Sequence, residues 1–276
     1  MIDQIPINET GTLARINLYP IKSLEGISVQ QAEVLSNGAL KHDRQYTFWS
    51  LERNKWVRAK ASPELIRIRT NYDLDAGVVT LSVDESEETF HFASPDGQTA
   101  LSHWMSHYLR HKVELRESID QGYFDESTRG RYGISLISTE SIAMMREWFP
   151  ALTSEEVIRR MRMNITVDGF SLLWEEAVIT TDRSSTIKIG NIPFRDPWPC
   201  SRCSVPARDS HTAMTDEGFA TAMTTYRKAD TPVNGPLHSL SDQDAFDGYF
   251  TLGVRTDGRD ESESNVITVG DDVTAA

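Results

Sequence analysis

The sequence predicts a mostly β chain of the α+β class, laid out as two consecutive units. Three observations predict it. Short runs of alternating apolar and polar residues, broken by turn residues, fill the chain from Leu13 to about Phe92. Helical spacing enters first at Leu101, Trp104, Met105 and Tyr108, set three and four apart. A polar, turn-rich stretch without apolar period, residues 119–131, then separates this unit from a second mixed run.

Along the chain, strands are expected at residues 14–19, 45–49, 65–69, 78–83 and 89–92, each a short alternating run between turn signals. Several such strands in succession form a barrel or sandwich. The helix through Leu101 to Tyr108 closes the first unit. In the second, residues 134–137 read as a strand, and Ser138-Thr139-Glu140-Ser141 opens a helix carrying Ile142, Met145 and Trp148. Later strands are expected at 164–167, 177–180, 187–189, 250–254 and 266–269, between loops of Asp, Ser, Pro and Gly. Residues 230–244 read as a long polar loop, of a length usually tied to function or motion.

Composition narrows the function classes. The chain has 276 residues, of which 39% are hydrophobic and 25% charged, enough to build a real core and too apolar for disorder throughout. No run approaches the roughly 18 to 20 apolar residues of a membrane span, and the opening Met-Ile-Asp-Gln-Ile-Pro lacks the layout of a secretory signal. A cytoplasmic location without a membrane span is expected. With 28 Lys and Arg against 41 Asp and Glu, the net charge of −13 repels phosphate backbones, so nucleic acid is not an expected partner.

Both cysteines sit together in Pro-Trp-Pro-Cys-Ser-Arg-Cys, as Cys200 and Cys203, so redox chemistry must use that pair or a cofactor. Two cysteines exclude a disulfide framework, a four-cysteine iron–sulfur cluster and a four-cysteine zinc site within one chain. Their spacing admits three readings: a redox dithiol, half of a zinc site, or one thiolate ligand to a soft metal cofactor beside a structural cysteine. A β-rich setting argues against the first and the missing second ligand pair against the second, but local spacing alone does not choose among the three. His103, His107 and His111 lie four apart, mainly opposite the apolar stripe, and read as an exposed polar face. Lys22-Ser23, Asp43-Arg44 and Arg162-Met163-Asn164 each place a cation beside turn residues; together they can cradle an anion. Asp209 reads as a turn-capping carboxylate or as an acid near the metal, and Glu175 and Glu176 as a solvated pair.

Several separated motifs match one family. Tyr19-Pro-Ile-Lys-Ser-Leu-Glu-Gly26, followed by Gly38 and Asp43-Arg44, resembles the amino-terminal β-barrel domain of MOSC proteins, the molybdenum cofactor sulfurase carboxy-terminal family. Pro199-Cys-Ser-Arg-Cys203 with Asp209 and Thr212, then Thr225-Tyr-Arg227, Phe246-Asp-Gly-Tyr-Phe250 and Ile267-Thr-Val-Gly-Asp-Asp-Val273, resembles the MOSC domain itself. The matches run in the family's order over nearly the whole chain. Within the family the likeness is to the mitochondrial amidoxime-reducing component and its bacterial counterparts.

The resemblance implies an amino-terminal β-barrel domain at residues 10–117 packed on a MOSC β-barrel domain at 130–274, with peripheral helices. It implies a molybdenum-molybdopterin cofactor whose metal is held by Cys203, with Asp209 as a second catalytic candidate. Cofactor contacts carry over to Lys22, Ser23, Arg44, Arg162, Asn164, Ser201, Arg202 and Tyr249; Arg131 and Tyr132 align with a contacting pair of different identity. The implied activity is reduction of small N-hydroxylated compounds, N–OH to N–H plus water, with electrons from an external donor of ferredoxin, flavodoxin or cytochrome b5 type. The family also carries an association with pyridoxal phosphate binding. The alternative is a non-catalytic carrier of molybdenum cofactor or sulfur. Two departures stand out: Asp209-Ser-His-Thr-Ala213 replaces the family's Asp-Pro-x-Thr-Gly, and Arg162-Met-Asn164 replaces Arg-Pro-Asn.

Overall fold

The computed structural model describes residues 8–119, 122–124, 132–180, 182–230 and 249–275. In chain order the first half carries β1 (Thr10–Leu18), β2 (Ile27–Val29), β3 (Gln31–Glu33), β4 (Tyr46–Ser50), β5 (Lys55–Trp56), β6 (Arg69–Asp73), β7 (Val78–Val83), β8 (Ser86–Phe90), α1 (Pro95–Leu109) and β9 (Val113–Glu117). The second half carries β10 (Ser135–Ser138), α2 (Thr139–Trp148), α3 (Ser154–Met161), β11 (Ile165–Asp168), α4 (Trp174–Ala177), β12 (Thr186–Ile189), β13 (Ile192–Arg195), β14 (Trp198–Ser201), α5 (Phe219–Asp230), β15 (Thr251–Arg255), β16 (Val266–Thr268) and β17 (Asp272–Ala275). The strand-rich α+β class is as expected.

The largest sheet is a curled half-barrel in the order β13-β12-β17-β1-β11-β10-β15-β14, with β2 also on β1. Thus β1, from the first half, lies between β11 and β17 of the second, pairing Ile16 with Ile165 and Gly11 with Val273. Its inward residues Leu13, Ile16 and Leu18 pack with Leu136, Val167, Ile187 and Phe194 in one core. A second core joins β4, β7, β9 and α1 through Phe48, Leu81, Leu101, Met105 and Leu115, closed by the small sheets β5-β4-β9 and β6-β7-β8. A third lies under α2, α3 and α5, around Met145, Val157 and Met223.

Helix ends follow side-chain chemistry. Ser94, Ser138 and Thr153 cap α1, α2 and α3, each side-chain oxygen accepting an N–H of the first turn. The histidine row breaks at the end of α1: His103 and His107 are exposed on the helix, whereas Arg110 adopts a left-handed turn and His111 lies beyond it.

Three expectations are corrected. The strand expected at 65–69 is a 3-10 turn over Pro63–Arg67, begun by a proline and seated by Leu65 and Ile68, three apart and fully buried; β6 starts after it. The strand expected at 177–180 is the end of α4 and the coil after it, a short buried apolar run whose period cannot separate strand from helix. Glu175 and Glu176 are buried, not solvated, because fully buried Trp174 stacks on Phe170 and turns α4 inward. Glu175 accepts from Ser138 N at 3.1 Å, and Glu176 pairs with Arg227. The loop expected at 230–244 lies outside the described residues apart from Asp230, which ends α5.

Candidate functional site

The site begins where the chain runs beside itself. Arg44 N donates to Tyr19 O at 2.8 Å, Tyr46 N to Pro20 O at 3.0 Å and Lys22 N to Tyr46 O at 2.8 Å, so Lys22, Ser23 and Arg44 share one wall. Ser23 and Arg44 adopt left-handed backbone, φ 73° and 50°, as does Arg162 at 53°. Such a conformation costs a non-glycine residue roughly 1–2 kcal/mol. Three cases at one place mean that the surrounding fold holds these side chains against their own preference, which is the usual mark of a binding site.

Arg162 arrives from the other half as the cap of α3, its N bonded to Ile158 O at 2.9 Å. Its guanidinium lies 4.3 Å from the centre of the Tyr19 ring, and that of Arg44 lies 4.8 Å from the same ring. Burial pushes the Tyr19 phenol above its ordinary value, so the ring stays neutral between two cations. Arg44 pairs with buried Asp43 and donates to Arg162 O at 3.2 Å and Asn164 Oδ1 at 3.3 Å. Arg162 has no ion pair among the described residues. Burial first, then repulsion from Arg44, lowers its pKa, a cost that an anion in the cavity relieves.

The cysteine pair comes from the sheet edge. β14 is an edge strand, where Pro199 forfeits no ladder bond that the sheet needs, and its pairing with β15 slips between Pro199 and Ser201. A bulge of this kind re-aims side chains: Cys200 is 7% exposed, while Cys203 is exposed beyond the strand end. Arg202 donates to Cys200 Sγ at 3.1 Å, to Met163 Sδ at 3.3 Å and to Met161 O. Its Nε is buried without a partner among the described residues. Burial pushes the Cys200 thiol up, but Arg202 and Arg255 outweigh it and hold the thiol below its usual value.

These groups line one cavity of about 740 Å³ between the two halves. It brings together Lys22, Ser23, Arg44, Arg162, Ser201, Arg202 and Cys203. Among the described residues, every charged residue on its wall other than Glu25 and Glu155 is Lys or Arg, although the chain's net charge is −13. Lys22 Nζ donates to Tyr123 O at 2.7 Å, and Ser23 Oγ accepts from Ala59 N at 3.1 Å.

Other expected residues sit elsewhere. Asn164 is buried behind the wall, accepting from Ser135 N and Oγ at 3.2 and 2.9 Å and donating to Asn17 O at 3.2 Å. Asp209 caps the loop after the cysteines: one carboxylate oxygen accepts from His211 N at 3.1 Å, Thr212 N at 2.7 Å and Thr212 Oγ1 at 2.8 Å. Tyr132 packs edge-on to Phe124, and neither it nor Tyr249 lines the cavity. Arg131 lies outside the described residues. Sequence reasoning missed Arg255 on the cavity wall at the end of β15, and missed Tyr19 as the platform between two guanidiniums. The only available signal for Arg255 was a lone cation ending the apolar run 252–254.

The donor set fits a phosphate-bearing cofactor with one thiolate-bound metal. Arg202 Nε and Arg162, neither with a partner for those donors among the described residues, offer anion donors, and Cys203 offers a soft ligand. No cluster of three or more His, Cys, Asp or Glu suited to a metal occurs among the described residues, so a metal here would draw on the cofactor and one thiolate.

The strand-rich fold thus carries a cationic cavity with one exposed thiol on its wall. The chain belongs to the MOSC family: residues 125–274 match the MOSC domain and residues 10–114 the MOSC N-terminal beta barrel domain. It is similar to mitochondrial amidoxime-reducing component 1 of Homo sapiens, 23% identical over 89% of this chain and 80% of that protein. It is also similar to mitochondrial amidoxime reducing component 2 of Homo sapiens, 22% identical over 85% and 78%. Among solved structures, the YUAD protein of Bacillus subtilis aligns over 97% of this chain and 96% of that one, at 10% identity and a TM-score of 0.38. No helix among the described residues is long and apolar enough to cross a membrane.

Proposed function

We propose that the chain is a molybdenum-cofactor-dependent reductase of N-hydroxylated compounds, converting N–OH to N–H plus water with electrons from a separate ferredoxin, flavodoxin or cytochrome b5 type donor. One observation carries this reading: Lys22, Arg44, Arg162 and Arg202, distant in sequence, line one cavity with the exposed thiol of Cys203. The distant likeness to amidoxime-reducing components supports the choice of reaction.

In this reading Cys203 holds the metal as its single protein thiolate. Lys22, Arg44 and Arg162 hold the phosphate, and Ser23, Ser201 and Arg202 face the pterin. When bound, the cofactor supplies the two-electron chemistry. The chain's own share is binding and orientation. Left-handed turns at Ser23, Arg44 and Arg162 fix the anion donors before the cofactor arrives, so little ordering is left for the moment of binding. Ile66, Ile158, Met163 and Pro206 give the wall its apolar part, which excludes water from the charged groups. Cys200, nearly buried in the wall, accepts from Arg202 through its thiol and helps hold that guanidinium in place.

The test is turnover of benzamidoxime by molybdenum-loaded protein with a reduced viologen as donor. Benzamidine formation is expected; stoichiometric molybdenum without turnover overturns the reading. Exposure of Cys203 favours one alternative, a sulfur carrier, in which that thiol bears a persulfide. A metal-free protein with a cyanide-labile sulfur would establish the carrier.

A further inference from the structure

A second cavity, of about 320 Å³, adjoins the first. Arg53, Lys55, Arg58 and Lys60 line it and, among the described residues, no carboxylate does. Arg58 and Lys60 line both cavities, so the two meet across this pair. Ser50, Ser62, Trp56 and His111 add polar groups to the wall, and Trp56 Nε1 and His111 Nε2 are buried without partners among the described residues.

Local structure fixes this arrangement. The β4–β5 hairpin pairs Ser50 with Lys55 and Trp49 with Trp56, which sets Arg53 and Lys55 at its turn. Ala61 N and Ser62 N both donate to Arg58 O at 2.9 Å, folding 58–62 into a tight turn. Ala59 N donates to Ser23 Oγ at 3.1 Å and ties that turn to the main cavity.

Charge decides what this turn serves. Both carboxylates of the main cavity are already matched, Glu25 by Arg69 at 3.0 Å and Arg159 at 3.7 Å, Glu155 by Arg15 at 2.6 Å. The phosphate of the proposed cofactor is served by Lys22, Arg44 and Arg162. Lys60 is exposed, with no hydrogen bond or ion pair among the described residues. Arg53, Lys55 and Lys60 face a cavity whose described wall holds no carboxylate, so an anion that enters meets an attractive field, and Lys60 carries that field to the main cavity.

We propose that the substrate carries an anionic group, a carboxylate or a phosphate, which seats in this side cavity while its N–OH end enters the main one. The proposal rests on the reductase reading and names the class of its substrate. Its volume lies at the lower end of the range for small-molecule sites.

The test compares kcat/KM at low salt for two pairs, 4-carboxybenzamidoxime against benzamidoxime and N4-hydroxycytidine 5′-monophosphate against N4-hydroxycytidine, in molybdenum-loaded wild type and Lys55→Glu. Wild type should prefer the charged member of at least one pair by about tenfold, and which pair distinguishes carboxylate from phosphate. Lys55→Glu, which touches only the side cavity, should bring that ratio to within about twofold. Calorimetric binding of cytidine 5′-monophosphate or of 4-carboxybenzamidine, each against its uncharged-tail parent, should show the same loss without turnover. Equal kcat/KM within both pairs, or a preference that Lys55→Glu leaves intact, overturns the proposal alone. Reduction of none of the four compounds overturns the reductase reading and the proposal together.

Discussion

Cys200 and Cys203 are three residues apart, line the same cavity and differ in exposure. Cys200 is buried against Arg202, whereas Cys203 is exposed. The nearby loop shows how much of the site local sequence records. Asp209 is ionised: burial pushes its carboxyl up, but hydrogen bonds from Thr212 and His211, with Arg160 beyond, hold it below its usual range. A group in that state is a poor proton donor at neutral pH, and the residue holds the loop in shape. Asp209→Asn should therefore leave the pH profile of turnover unchanged at equal molybdenum content; a displaced profile would make it an acid after all. Ala213 stands where the family has glycine, and its φ of 62° shows that the left-handed turn persists without one. Ala213→Gly should stabilise the protein by about 1 kcal/mol in urea denaturation, and a loss of stability would contradict the strain. The cysteine pair and the basic motifs were legible as residues because their types are chemically specific. Arg255 was not, since nothing beside it in sequence marks a cavity wall.

At the scale of elements, α4 and α5 are joined by the buried pair of Glu176 and Arg227, 51 residues apart, and Arg227 also donates to Thr251 O at 3.1 Å in β15. Two acidic residues in a row look like surface from local polarity. What takes them inside is the seat of Trp174 and an arginine half a domain away, and neither is visible in a local window. Removing Arg227 breaks a buried pair and its bond to β15, so Arg227→Ala should cost about 3–5 kcal/mol by thermal or urea denaturation. Burial raises the Glu176 carboxyl to about 7 from 4.5, with Glu175 adding and Arg227 opposing. The folded chain thus holds this proton more tightly than the unfolded one. Its stabilising contribution is full below 4.5 and is lost as pH rises to about 7. The melting temperature of wild type relative to Glu176→Gln should fall across that window; a constant difference contradicts the raised value. The 3-10 turn at Pro63–Arg67 was hidden for a related reason, since a short apolar run fits a strand as well as a turn.

Over the whole molecule, one of the three cores is shared by the two runs of sequence, while each of the other two lies within one run. β1 is central in the large sheet, and Leu13, Ile16 and Leu18 lie in a core whose other members come mostly from the second half. Alternation along β1 showed a strand but not its neighbours, because register between distant strands is decided by packing. Residues 130–274 expressed alone would lack that strand and expose the edges of β11 and β17. They should show no cooperative melt, and a transition like that of the full chain would contradict the shared core. The same crossing builds the site, for the anion donors come from 22–44 and from 162–202 and converge only when both halves fold as one. In a chain of net charge −13, gathering these cations in one place is costly without an anion to receive them, and the proposed cofactor would supply that anion. Elemental analysis of protein from a host that makes molybdenum cofactor tests this most directly. Wild type and Cys200→Ser should carry about one molybdenum per chain, the count expected of a single thiolate ligand, and Cys203→Ala should carry none. Wild type without molybdenum, or Cys203→Ala that retains it, would contradict the assignment.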